Sequence, residues 1–113
     1  MRGVRKTASD YTAEQGDFGI TVTGDELEPY ISRGGTAFFR RTAHLADGDA
    51  GVFLYDGKML MRQYCEDSEG NIYLFALNRR RSELDVKVPK GVRIYCFGRM
   101  ITDILPLPAA FGT

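Results

Sequence analysis

From Phe18 the chain alternates, with Phe18, Ile20 and Val22 large and apolar and Gly19, Thr21 and Thr23 small or polar. A period of two places the three apolar groups on one face of a strand. Gly24-Asp25 breaks the pattern. The stretch Leu27 to Ile31 is too short for a stable helix, and Pro29 removes a backbone donor, so a single turn is the most it should form. After Arg33-Gly34-Gly35, Thr36 to Arg40 reads as a second strand, and Leu45 to Asp49 as a turn with Asp-Gly chemistry before a third, Ala50 to Tyr55. Asp56-Gly57, between that strand and Lys58 to Tyr64, is the strongest hairpin signal in the chain. A further hairpin turns at Glu69-Gly70-Asn71 into Ile72 to Leu77. Asn78 to Arg81 reads as a solvated loop, Leu84 to Val88 as a short strand, Pro89-Lys90-Gly91 as a turn and Val92 to Ile101 as a last long strand. Leu105-Pro106-Leu107-Pro108 cannot be an interior strand, because each proline removes a ladder donor. With no three-turn helix and no repeat, the pattern predicts a mainly β domain with closely spaced hairpins.

Composition narrows this further. A chain of 113 residues, 43% hydrophobic, suits one compact domain that buries roughly two thirds of its unfolded surface. Fifteen basic and fifteen acidic residues cancel, so no global field draws a polyanion or an anionic membrane. Cys65 and Cys96 lie in apolar-flanked segments without metal or redox spacing, and are expected to be buried thiols in a reducing cytoplasm. The basic start, Arg2, Arg5 and Lys6, has no apolar run after it, and no stretch approaches the ~20 apolar residues of a membrane span. The expected organisation is an arm or linker at 1–16, a β domain at 17–102 and a tail at 103–113.

Most templates for chemistry fail. His44 is the single histidine and has no imidazole partner for a metal, and neither nucleotide-binding glycine pattern is present. Asp25, Glu26 and Glu28 lack the spacing of a calcium loop. No metal or cofactor is therefore expected. Arg79-Arg80-Arg81 concentrates charge that suits phosphate or an acidic partner, against the simpler reading as a solvated loop. Met59, Met61 and Gln63 share a strand face, and the methionines are expected to fill gaps in the core.

The chain also resembles a known family: the C-terminal, serine-peptidase-like domain of LexA and the phage repressors, relatives of UmuD and, more distantly, of signal peptidases. In that family an apolar strand leads to a Gly-x-Ser-Met-x-Pro turn, and then to Asp-Gly-Asp and a strand. A hairpin carrying a lysine, an Asn-Pro element and a closing Gly-Arg-Val strand follow. Gly24-Asp25-Glu26-Leu27-Glu28-Pro29 matches the turn, Arg33 to Phe39 the next element, and Asp47-Gly48-Asp49 with Ala50 to Phe53 the start of the following strand. Asp56-Gly57 with Met61-Arg62-Gln63-Tyr64 matches the lysine hairpin, Leu77-Asn78 the Asn-Pro element, and Phe97-Gly98-Arg99-Met100-Ile101 the closing strand. The resemblance spans about residues 17 to 102 and implies a coiled β-sheet of the LexA and signal-peptidase kind.

The resemblance breaks at the residues that carry the family's chemistry. Its nucleophilic serine falls on Glu26 and its general-base lysine on Arg62, or on Met61 if the register slips by one. A desolvated lysine can give up its proton and then take one from a hydroxyl, whereas arginine stays protonated and a carboxylate has no proton to yield. The turn residues Gly24, Asp25, Leu27 and Pro29 would then shape a vestigial cleft, and Glu26 and Arg62 would form an ion pair, bidentate at best, unless both simply face solvent. Self-cleaving members cut an Ala-Gly or Cys-Gly bond upstream of the serine. The single Ala-Gly pair here, Ala50-Gly51, lies in a predicted strand, so the chain is either a fragment or a member that does not cut itself. The expectation is a catalytically inactive domain that dimerises and regulates a helix-turn-helix transcription regulator, touching DNA only through such an N-terminal domain, which this chain lacks. Val92, Ile94, Tyr95, Phe97 and Ile101 are the candidate subunit contact. Two other readings stay open: a peptidase using Ser32 or Thr36 as nucleophile, and a module gripping a peptide in the cleft, with Leu105 to Phe111 as one such peptide.

Overall fold

The computed structural model describes residues 16–102 and 105–108. The predicted arm at 1–16 therefore lies outside the described residues except for Gly16, as does most of the tail. Seven strands form one curled antiparallel sheet. They are β1 (Phe18–Thr21), β2 (Thr36–Arg41), β3 (Ala50–Tyr55), β4 (Lys58–Glu66), β5 (Ile72–Phe75), β6 (Val86–Val88) and β7 (Tyr95–Met100). Their order across the sheet is β1-β2-β7-β3-β4-β5-β6. Among the described residues no helix is long and apolar enough to cross a membrane.

Local chemistry accounts for most of the strands. The β3–β4 turn has Asp56 and Gly57 at φ 52° and 73°. Two successive left-handed residues make the tight turn whose twist matches that of the flanking strands. It sets a register from Tyr55 opposite Lys58 to Ala50 opposite Gln63. Phe18, Ile20 and Val22 all pack into one apolar cluster with Leu27, Ile31 and Phe39, as their alternation predicts. A second cluster gathers around Phe53, Leu74 and Val88.

Several expectations need correction. The last strand is shorter than Val92 to Ile101 and lies inside the sheet, between β2 and β3. The fifth strand stops at Phe75 rather than Leu77, and the sixth covers Val86–Val88 rather than Leu84 to Val88. Arg79–Leu84, read as a loop followed by the start of a strand, is a 3-10 helix capped by the Asn78 side chain, which accepts from the Arg80 amide at 3.1 Å. Met61 is in the core, but Met59, near the hairpin end, is 63% exposed. Cys65 and Cys96 are free thiols, Cys65 buried and Cys96 half-buried.

The insertion of β7 demands close backbone approach. A Cβ on Gly51 would sit 2.8 Å from the Gly98 carbonyl oxygen, and a Cβ on Gly98 would sit 2.9 Å from that of Arg40. Neither obstacle is a side chain that can swing away. Gly98→Ala must therefore spread β2 and β7, and is expected to destabilise the domain by about 1–3 kcal/mol in urea unfolding. A midpoint unchanged from that of the parent chain would show that the strands are not packed this tightly.

Candidate functional site

The turn between β1 and β2 is pinned from two directions. Within it, the amides of Tyr30 and Ile31 both donate to the Leu27 carbonyl, at 2.9 and 3.1 Å. Leu27 itself is fully buried, so this residue anchors the turn from within the core. From outside, Asn78 reaches across. Its amide donates to the Glu26 carbonyl at 2.9 Å, and its Nδ2 donates to the Asp25 carbonyl at 2.9 Å. Arg81 adds an ion pair, Nη1 to Asp25 Oδ1 at 2.5 Å, and also pairs with Glu83. One residue thus caps the 3-10 helix and ties it to the turn, a role its place before three arginines signals only as a cap.

Arg62 lies in β4 and is only 6% exposed. Its Nε donates to the Leu84 carbonyl at 3.2 Å and its Nη1 to the Met61 carbonyl at 2.9 Å. Burial pulls its pKa below the ordinary arginine value, while the negative charges of Glu26 and Asp85 pull it back. Glu26 and Arg62, singled out from far-apart stretches of sequence, therefore do come within electrostatic reach of each other. They do not form the contact ion pair expected of them: no nitrogen of one lies within 4.0 Å of an oxygen of the other. The guanidinium is satisfied by main-chain carbonyls, and the Glu26 carboxylate folds back over Gly24, where a Cβ would collide with it.

The arginine run is not a free basic patch. Arg79 holds Asp85 through two bonds, Nη1 to Oδ1 at 3.0 Å and Nη2 to Oδ2 at 2.8 Å, and this fork raises the Arg79 pKa. Asp85 also accepts from the Ala76 amide at 2.9 Å. The predicted solvated loop is thus half internal wiring.

A cleft of about 710 Å³ opens beside the clamp, between Asp25, Glu28, Pro29 and Tyr30 on one wall and Leu77 with Asn78 to Arg81 on the other. Of the turn residues predicted to shape a cleft, Asp25 and Pro29 line it, and Gly24 and Leu27 do not. Glu26 and Arg62 do not line it either. Ser32 is exposed after the turn, and Thr36 opens β2 opposite Thr21. His44 is exposed in the β2–β3 connection, on the rim of a separate cavity of about 250 Å³ that also touches Cys96. Among the described residues no three His, Cys, Asp or Glu side chains gather as metal ligands. Sequence reasoning passed over Gln63 and Asp85 as well as the clamp role of Asn78. A lone glutamine amid apolar strand residues was the visible signal for the first.

A model of the Peptidase S24-like family matches residues 3–101. That match covers nearly the whole chain, and the protein belongs to this family, the one of LexA, UmuD and phage-repressor C-terminal domains. No curated protein matches the chain.

The geometry separates a charge pair from a carbonyl-held cation. Arg62→Ala leaves the Met61 and Leu84 carbonyls unpaired in a buried site and should cost about 2–4 kcal/mol in chemical denaturation. Glu26→Ala removes only an interaction through space and should cost less than about 1 kcal/mol. Equal losses from the two variants would restore the ion pair as the stabilising contact.

Proposed function

We propose that this Peptidase S24-like domain is catalytically silent and serves as the dimerising, regulatory half of a helix-turn-helix transcription regulator. The observation that carries the reading is the pair of residues aligned with the family's dyad. Glu26 stands where the nucleophilic hydroxyl belongs and Arg62 where the amine belongs, and the two lie close enough to feel each other's charge. A general base must shed its proton near neutral pH, and a guanidinium does not, least of all one donating to two carbonyls. Glu26 can accept a proton but has none to lose before attack.

What such a scaffold retains is a surface. Leu54 on β3 stands opposite both Met59 on β4 and Tyr95 on β7, so these three side chains share one face across adjacent strands. They are 37%, 63% and 47% exposed. Val92 and Phe97 add exposed apolar area nearby. Of the residues expected at the subunit contact, Ile94 packs against the second core cluster and Ile101 is half-buried, leaving Val92, Tyr95 and Phe97 for a partner. Because β7 has a strand on each side, a second copy would dock on this face and not by adding a strand to β7. Pairing of two copies would bring two DNA-reading domains to two half-sites and raise their joint affinity.

Two measurements test the reading. Incubation at alkaline pH followed by mass spectrometry should return the intact chain; discrete fragments would reinstate a peptidase, with Ser32 and Thr36 the first hydroxyls to replace. Light scattering at micromolar concentration should give two chains per particle, and Tyr95→Arg should weaken association at least tenfold. A parent chain that stays single, or a dimer indifferent to the arginine, would remove the proposed role or the proposed face.

A further inference from the structure

Gln63 is a buried amide, 3% exposed, in the middle of β4. Its Nε2 donates to the carbonyls of Gly48 at 3.1 Å, Leu105 at 3.4 Å and Pro106 at 3.2 Å. All three partners are acceptors only, which places the NH2 end of the side chain there. Two hydrogens serve three oxygens, and two of those oxygens belong to a segment that no strand pairs with. Leu105 is 6% exposed and packs in the first core cluster beside Leu27, Ile31 and Leu77. A space of about 230 Å³ remains between Leu105–Pro108 and the side chains of Tyr30, Gln63, Leu77 and Arg79. Tyr30, Leu77 and Arg79 also line the larger cleft beside the clamped turn, so the seat of the tail and that cleft adjoin across shared walls.

We propose that this seat is a peptide-binding site for extended, proline-containing apolar segments, and that the chain's own Leu105–Pro108 is its resident, exchangeable occupant. A Leu-Pro-Leu-Pro sequence has no N–H at either proline and cannot join a ladder from both sides. What it offers is a leucine side chain and a row of carbonyls, and the seat supplies an apolar slot for the one and a buried amide donor for the other. Proline also holds such a segment extended before it binds, which lowers the entropy lost on docking. The inference rests on the silent reading above, since a domain that cut peptides would not keep an intact one next to its clamped turn. It gives the seat an occupant and a regulator, because the tethered tail competes with any incoming segment at the high effective concentration of a short linker.

The test starts from the whole chain with a protease recognition sequence inserted between Thr102 and Asp103, folded first and cut afterwards. The cut tail should remain with the body in native mass spectrometry, and excess fluorescent peptide of residues 103–110 should displace it. The cut body should bind that peptide at least tenfold more tightly than the uncut chain does, and Gln63→Ala should weaken binding to the cut body at least tenfold. A displaced tail of full mass agrees with a silent cleft. A shortened one would overturn the silence while leaving the binding site standing. The proposal falls if the tail leaves a folded body that rebinds no peptide, or if the body unfolds on its departure, since Leu105 is then core and not ligand. Should the insertion block folding, Leu105→Asp in the uncut chain decides: a folded variant that binds the peptide upholds the site, and one that does not removes it.

Discussion

β7 hydrogen-bonds on both sides, to β2 along Phe39 to Arg41 and to β3 along Gly51 to Leu54. Without it the sheet would part into the pair β1–β2 and the meander β3 to β6, each with a raw edge. The first apolar cluster depends on the same join, because it draws Phe39 from β2, Val52 from β3, Met61 from β4 and Met100 from β7. Backbone contact at Gly51 and Gly98 is the condition that lets three strands meet there. A register shift between Val52 and Phe53 absorbs the mismatch and leaves Phe97 half exposed at the same level. The exposed apolar face across β3, β4 and β7 is thus a by-product of how the sheet is joined.

The clamp on the β1–β2 turn depends on this closure at one remove. Asn78 and Arg81 reach Asp25 and Glu26 because β4 and β5 carry the 3-10 helix back over the cluster that buries Leu27. The turn that would carry a nucleophile is therefore held by two main-chain carbonyls and one carboxylate. Rigidity of this kind serves catalysis when the residue at its tip can react. Here it holds a carboxylate that lies back over a glycine.

Much of the sheet could be read from the chain. Asp56-Gly57 specifies its own turn type, and the alternation of Phe18, Ile20 and Val22 specifies the buried face, because both are decided by neighbours in sequence. What could not be read depends on distant partners. The insertion of β7 between β2 and β3 is invisible locally, so the same apolar residues fit an edge, a core or a subunit contact. Arg79 to Arg81 looked solvated because two of their acids, Asp25 and Asp85, lie outside the 3-10 helix. The charge pair at Glu26 and Arg62 follows from the family resemblance, which brings the two positions together, and from their opposite sign. The fold does place them near each other, but hydrogen-bond geometry sends the guanidinium to carbonyls. Met59 and Met61 show the limit of periodicity, since the same face is solvent at one position and core two residues later.

The carbonyls of Met61 and Leu84 have a bearing on which nitrogen base position 62 can hold, and in what form. Oxygen acceptors favour whichever form of a nitrogen base carries more hydrogens, so a lysine placed at position 62 would enter surroundings that keep its ammonium charged. A single substitution there would then supply an amine without its lone pair. What position 62 can do is set by the main chain around Leu84 as much as by the side chain it carries.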